Sequence, residues 1–87
     1  MRAVISVVGK DKIGILASVS SKCQEFSANV VDVTQTVLQD FFTMVMLVEI
    51  ENKNFLKFVD DMENFGNEKG LKIYVMHEDI FNAMHTI

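Results

Sequence analysis

The chain has no proline and no tryptophan, one cysteine and only four glycines among its 87 residues. Without proline, no rigid linker divides it, and its length suits one domain spanning residues 1–87. Cys23 cannot close an internal disulfide, which fits a reducing compartment. Long apolar runs are missing too. Residues 3–8 are too few for a signal peptide and no stretch would span a bilayer, so a soluble cytoplasmic protein is expected. Clustered positive charge is absent: eight Lys and Arg residues are scattered against twelve Asp and Glu, for a net charge of −4. With acidic pairs at Asp60-Asp61 and Glu78-Asp79, neither a nucleic acid nor an anionic membrane is an expected partner.

What the chain does have is apolar content. Hydrophobic residues make up 49% of it. A domain this small buries only about 60–65% of the surface its unfolded chain exposes. The excess implies that some apolar surface meets another subunit, so a homodimer or higher oligomer is expected.

Periodicity divides the chain. Residues 3–8 form an apolar run broken by Ser6, with Ala3, Ile5 and Val7 on one face and Val4 and Val8 on the other; this predicts a central strand covered on both sides. From residue 13 to 26 the period becomes helical, with a stripe of Leu16, Val19, Cys23 and Phe26 and with Asp11 as N-cap. Residues 30–38 alternate as an edge strand, placing Val31, Val33, Gln35 and Val37 together and Asp32, Thr34 and Thr36 opposite. Gln39-Asp40 reverses the chain. Residues 41–50 form a second doubly apolar strand. A helix capped by Asn52 or Asn54 follows, with a stripe of Phe55, Val59, Met62 and Phe65 or Gly66, and Gly70 suits its C′ position. Leu71, Ile73, Val75 and His77 alternate in a last strand. A helical tail over residues 79–87 is expected to dock on the body or on a partner.

The order is βαββαβ plus a terminal helix. Right-handed crossovers then give an α+β fold, a ferredoxin-like sandwich: a four-stranded antiparallel sheet with both main helices on one face and the first and third strands central. The other face is expected to carry Val and Met side chains with no helix above them.

The chain has two β-to-α turns, and their chemistry differs. The second, Glu49-Ile50-Glu51-Asn52-Lys53-Asn54, has two carboxylates and no glycine, and would repel an anion. The first joins a strand to a helix through Gly9, Lys10, Asp11, Lys12, Ile13, Gly14 and Ile15. A helix start presents free N–H groups at the positive end of its dipole, a seat for a carboxylate. Gly14 leaves the backbone open to approach, and Asp11 could hold an ammonium, a pairing that suits a free amino acid. The plainer alternative is that both glycines serve only the turn and its packing. The run is not a phosphate-binding loop, because the Gly-Lys-Ser/Thr ending is absent.

Taken together, Val7-Val8-Gly9-Lys10-Asp11-Lys12-Ile13-Gly14-Ile15, Ala28-Asn29-Val30-Val31-Asp32, Gln35-Thr36 and Phe42-Thr43-Met44 resemble an ACT domain. With the tail from His77 to His85, the resemblance covers essentially the whole chain. It is nearest to the small stand-alone ACT proteins of bacteria and archaea, and more distant to the ACT halves of the glycine-cleavage repressor. The resemblance implies a regulatory module that binds an amino-acid-like effector between two copies, without cofactor or metal. The effector would touch residues 9–15 of one copy, with Asn29 and Val30 supplied across the dimer. Two departures stand out. Ser27 replaces a usual glycine, at a cost of about 1 kcal/mol for a left-handed cap. Asp11 replaces a usual asparagine, so the effector is not expected to be read as serine is in relatives.

Other residues carry less. Cys23 lies on the helix stripe and belongs to the core; with His77 and His85 it makes a poor metal set. Ser18, Ser20 and Ser21 lack an adjacent base, and no catalytic constellation is visible. The alternative to an effector-binding module is a protein-interaction module with no small ligand.

Overall fold

Alternation along the first strand decides the architecture. Ala3, Ile5 and Val7 are fully buried on one side, while Ser6 and Val8, pointing oppositely, are half-buried. In the computed structural model, which describes residues 1–10 and 14–84, this strand is β1 (Arg2–Lys10). It is followed by α1 (Ile15–Glu25), β2 (Asn29–Leu38), β3 (Phe41–Glu49), α2 (Asn52–Lys69), β4 (Lys72–His77) and α3 (Glu78–Met84). The sheet runs β2-β3-β1-β4 with antiparallel neighbours. The doubly apolar strands β1 and β3 are the inner pair, and the fold is the expected ferredoxin-like sandwich.

One layer of side chains makes the core. Ala3, Ile5 and Val7 of β1 and Met44, Met46 and Val48 of β3 face Ile15, Val19 and Cys23 of α1 and Phe58 and Met62 of α2. Fully burying side chains of this size contributes about 1.5–3 kcal/mol each. Phe26 meets Phe58 edge to face, with ring centroids 5.3 Å apart. At the surface the Lys22 ammonium ties the two helices, 3.1 Å from Asp61 and 3.3 Å from Glu25. Hydrogen bonds to these carboxylates raise its pKa.

Three expectations are corrected. First, α1 starts at Ile15, and its N-cap is Gly14 rather than Asp11. Its buried stripe is therefore Ile15, Val19 and Cys23, at steps of four, and Leu16 is left 38% exposed. Second, β2 contains a bulge between Val30 and Asp32. The extra residue shifts the alternation, so Val30 and Val33 pack on the core while Val31 is exposed. Third, α2 is N-capped by Glu51 with no side-chain hydrogen bond, not by Asn52 or Asn54, and its central buried residue is Phe58.

Both main helices end in a left-handed residue. After α1 this is Ser27, at φ 56°, with Ala28 N–H donating to the Cys23 carbonyl and Ser27 N–H to the Gln24 carbonyl. These two bonds satisfy the last carbonyls of the helix in a Schellman motif. After α2 it is Gly70, as expected, at φ 71°.

The tail changes the reading of the open sheet face. Residues 85–87 lie outside the described residues, but α3 is seated against β1 and β4. It covers part of the face that was expected to be bare. Val4, which points away from α1 and α2, is only 4% exposed and stands apart from the main core. Arg2 pairs with Glu78 at 3.2 Å, and the His77 Nδ1 accepts a hydrogen bond from the Asp79 N–H at 3.0 Å, capping the helix. Among the described residues no helix is long and apolar enough to cross a membrane.

Candidate functional site

The first β-to-α turn leaves β1 at Gly9 and Lys10 and enters α1 at Gly14; residues 11–13 (Asp11, Lys12 and Ile13) lie outside the described residues. Its two glycines have different reasons to be there. Gly9 is buried, and the Cδ2 of Leu71 occupies the space a β-carbon would need. Gly14 is exposed and has φ 80°, a left-handed conformation that favours glycine, and among the described residues nothing lies within 4 Å of where its β-carbon would stand. As N-cap it offers no side-chain hydrogen bond. Packing accounts for Gly9 and backbone conformation for Gly14.

Exposed apolar side chains surround this end of the molecule. The register pairs Lys10 with Phe41 and Gly9 with Phe42, so the β2–β3 hairpin stands beside the turn. There Val37, Leu38 and Phe41 are 67%, 70% and 49% exposed. Strand β2 forms one edge of the sheet, and Asp32 is its single charged side chain. A ten-residue edge with so little charge is open to pairing with another strand.

One cation here was not visible in the sequence. Lys69, in the last turn of α2, lines a groove of about 540 Å³ with Ala17, Ser18, Ser21 and Lys22 of α1. Its ammonium lies 6.0 Å from the Phe65 ring centre. The two crossovers run antiparallel, and that places the end of α2 beside the beginning of α1. Nothing in the local sequence around Lys69 signals it; only the topology does.

Asn29 and Val30 are not brought to the turn within one chain. Asn29 pairs with Glu49, which pairs with Arg2, at the far end of the sheet from Gly9. Seven strand steps separate Arg2 from Gly9, or about 23 Å at 3.3 Å per residue. Asn29 is exposed beside Ser27, Glu49 and Glu51 in a depression of about 320 Å³. Val30 points instead into the core. The two poles of the sheet thus differ: Lys10 and the start of α1 at one, and Asn29 with two carboxylates at the other.

The other candidates have structural roles. Cys23 is 1% exposed, and burial pushes its thiol up to about 11. His77 caps α3 as described, and His85 lies outside the described residues. Among the described residues no group of three His, Cys, Asp or Glu side chains could hold a metal ion.

Comparison with known proteins gives a consistent result. The family model of the ACT domain matches residues 2–76. A UPF0237 protein of Lactococcus lactis is 45% identical over 87 residues, the whole of both chains. The solved structure of an ACT domain protein from Streptococcus pneumoniae is 43% identical over 98% of each chain, with a TM-score of 0.84. A putative glycine cleavage system transcriptional repressor has the same fold over 88% of this chain and 47% of its own, at 23% identity and a TM-score of 0.76.

Proposed function

The chain belongs to the ACT-domain family, and on that premise we propose that it is a non-enzymatic cytoplasmic regulator, a single ACT domain over residues 1–87 that binds an amino-acid-like effector between two copies. ACT domains are in general regulatory modules that bind small molecules. The observation that carries the reading is the start of α1: an exposed left-handed Gly14 with no described residue within 4 Å of where its β-carbon would stand. A carboxylate placed there gains the helix dipole and the amides at the start of the helix. Lys10, Asp11, Lys12, Ile13 and the backbone amide of Ile15, whose side chain is in the core, complete the first half of the site.

A second copy supplies the other half. Antiparallel pairing of two β2 strands about a two-fold axis sets the Asn29 end of one chain level with the Leu38 end of the other, where the start of α1 lies. Asn29, with Glu49 and Glu51 near it, then offers partners for an ammonium group. Binding signals by favouring one arrangement of the pair over another, which requires different affinity for the two.

Calorimetric titration of the full chain with the common amino acids tests this. One of them binds saturably, and the exposed substitution Asn29→Ala lowers its affinity at least tenfold while leaving the circular dichroism spectrum unchanged. Absence of binding to a folded oligomer, or unchanged affinity in Asn29→Ala, refutes the proposal and favours a protein-interaction module without a small ligand.

A further inference from the structure

The face of the sheet opposite α1 and α2 holds a cleft that the effector site does not use. It measures about 440 Å³ and lies between α3 and the sheet, lined by Ser6, Val45, Tyr74, Met76, Phe81 and Met84. Its floor is one register row across three strands: Val45 of β3 beside Ser6 of β1, and Ser6 beside Tyr74 of β4. Met76 extends the floor, and Phe81 and Met84 of α3 form the roof. The size falls in the range of small-molecule pockets.

Its chemistry is selective. Among the described residues no charged side chain lines the cleft, so these residues cannot compensate a carboxylate or an ammonium, and an amino-acid zwitterion would lose its hydration there unrewarded. Two hydroxyls are present. Tyr74 is 56% exposed at the rim. Ser6 sits at the midpoint of a central strand, half-buried, and its hydroxyl makes no hydrogen bond to any described residue. A serine interrupts the apolar run of β1 here without gaining a partner among the described residues, which leaves its hydroxyl to solvent or to a ligand. Phe81, Met76 and Met84 supply an aromatic edge and two polarizable thioethers, which favour a flat π-system.

We propose that this cleft is a second binding site, for a small uncharged aromatic molecule with one hydrogen-bonding group, held between α3 and the sheet with that group on the Ser6 hydroxyl. The ring lies against Met76, Met84 and Phe81. Because α3 forms the roof, occupancy holds α3 against the sheet.

The test titrates the full chain, carrying ¹³C-methyl methionine, with indole and p-cresol, and with benzoate as the charged counterpart. The Met76 and Met84 methyl resonances shift saturably with the uncharged probes at a dissociation constant below about 1 mM, and benzoate binds at least tenfold more weakly. Val45→Trp fills the floor and abolishes the shift. Met84→Trp fills the cleft from α3 without touching a central strand, and gives the same loss should the strand variant not fold. Ser6→Ala weakens indole binding about threefold to tenfold, whereas Asn29→Ala leaves it unchanged, separating this site from the effector site. The proposal is overturned by absence of a saturable shift up to the solubility of the probes, by equal affinity for benzoate, or by full binding in both tryptophan variants. It is also overturned if the methyl signals shift with protein concentration alone, since a second copy then occupies the face.

Discussion

The Cδ2 of Leu71 lies where a β-carbon on Gly9 would have to be. The end of β1 and the entry to β4 therefore share one volume, and glycine is the residue that lets both fit. Gly9→Ala forces a buried leucine out of its place and destabilises the fold by about 1–3 kcal/mol. Leu71→Ala in the same chain recovers part of that loss. Urea titration of the single and double variants measures the coupling, and additive losses contradict the shared volume.

Ser27 holds φ 56° at the C′ position of α1. Glycine takes this conformation without the clash an L side chain meets, so Ser27→Gly stabilises the protein by about 0.5–1 kcal/mol. The urea midpoint rises and the slope is unchanged. Destabilisation would show that the serine hydroxyl matters more than its backbone.

In the antiparallel pair proposed above, the middle of β2 lies at the two-fold axis, and Thr34 there is exposed. If β2 strands pair in that way, Thr34→Lys brings like charges together across the axis. The dissociation constant of the oligomer rises at least tenfold in sedimentation equilibrium at low salt, with recovery as salt screens the repulsion. Unchanged association places the interface elsewhere.

Burial moves the Cys23 thiol from 9.0 to about 11. The folded chain keeps this proton at a pH where the unfolded chain releases it. The associated stability is fully present below pH 9 and is lost as pH rises from about 9 toward 11. Denaturation profiles of the wild type and Cys23→Ala, taken between pH 8 and pH 11, separate this contribution: the cysteine chain loses stability faster. At pH 8 the folded protein resists iodoacetamide, which modifies Cys23 readily in urea.

The fold was legible because its main signals were periodic. Doubly apolar runs at β1 and β3 marked the inner strands, and a polar alternation marked the edge. The errors arose where one residue changed the phase. The bulge between Val30 and Asp32 shifts the β2 alternation, and no sequence signal marks it. At α1, Asp11 was a chemically sound cap, but left-handed Gly14 delays the helix to Ile15 and replaces Leu16 by Ile15 in the core. Phe58 was missed because Phe55 and Val59 satisfy the same periodic rule, and only packing against Phe26 chooses among them. The site was less legible than the fold. Sequence proximity grouped residues 9–15, but the position of Lys69 beside α1, and of Asn29 at the opposite pole, depends on how the strands and helices are ordered in space.

If the effector site is shared as proposed, that polar separation sets its stoichiometry. Each chain carries one start of α1 and one Asn29, about 23 Å apart along the sheet, so a lone chain owns two halves that cannot meet. In the proposed two-fold pair both halves are joined twice, which would complete two equivalent sites in a single event. Dilution would then act like withdrawal of the effector: each chain that leaves its partner would dismantle two sites, and apparent affinity would follow protein concentration as well as ligand concentration.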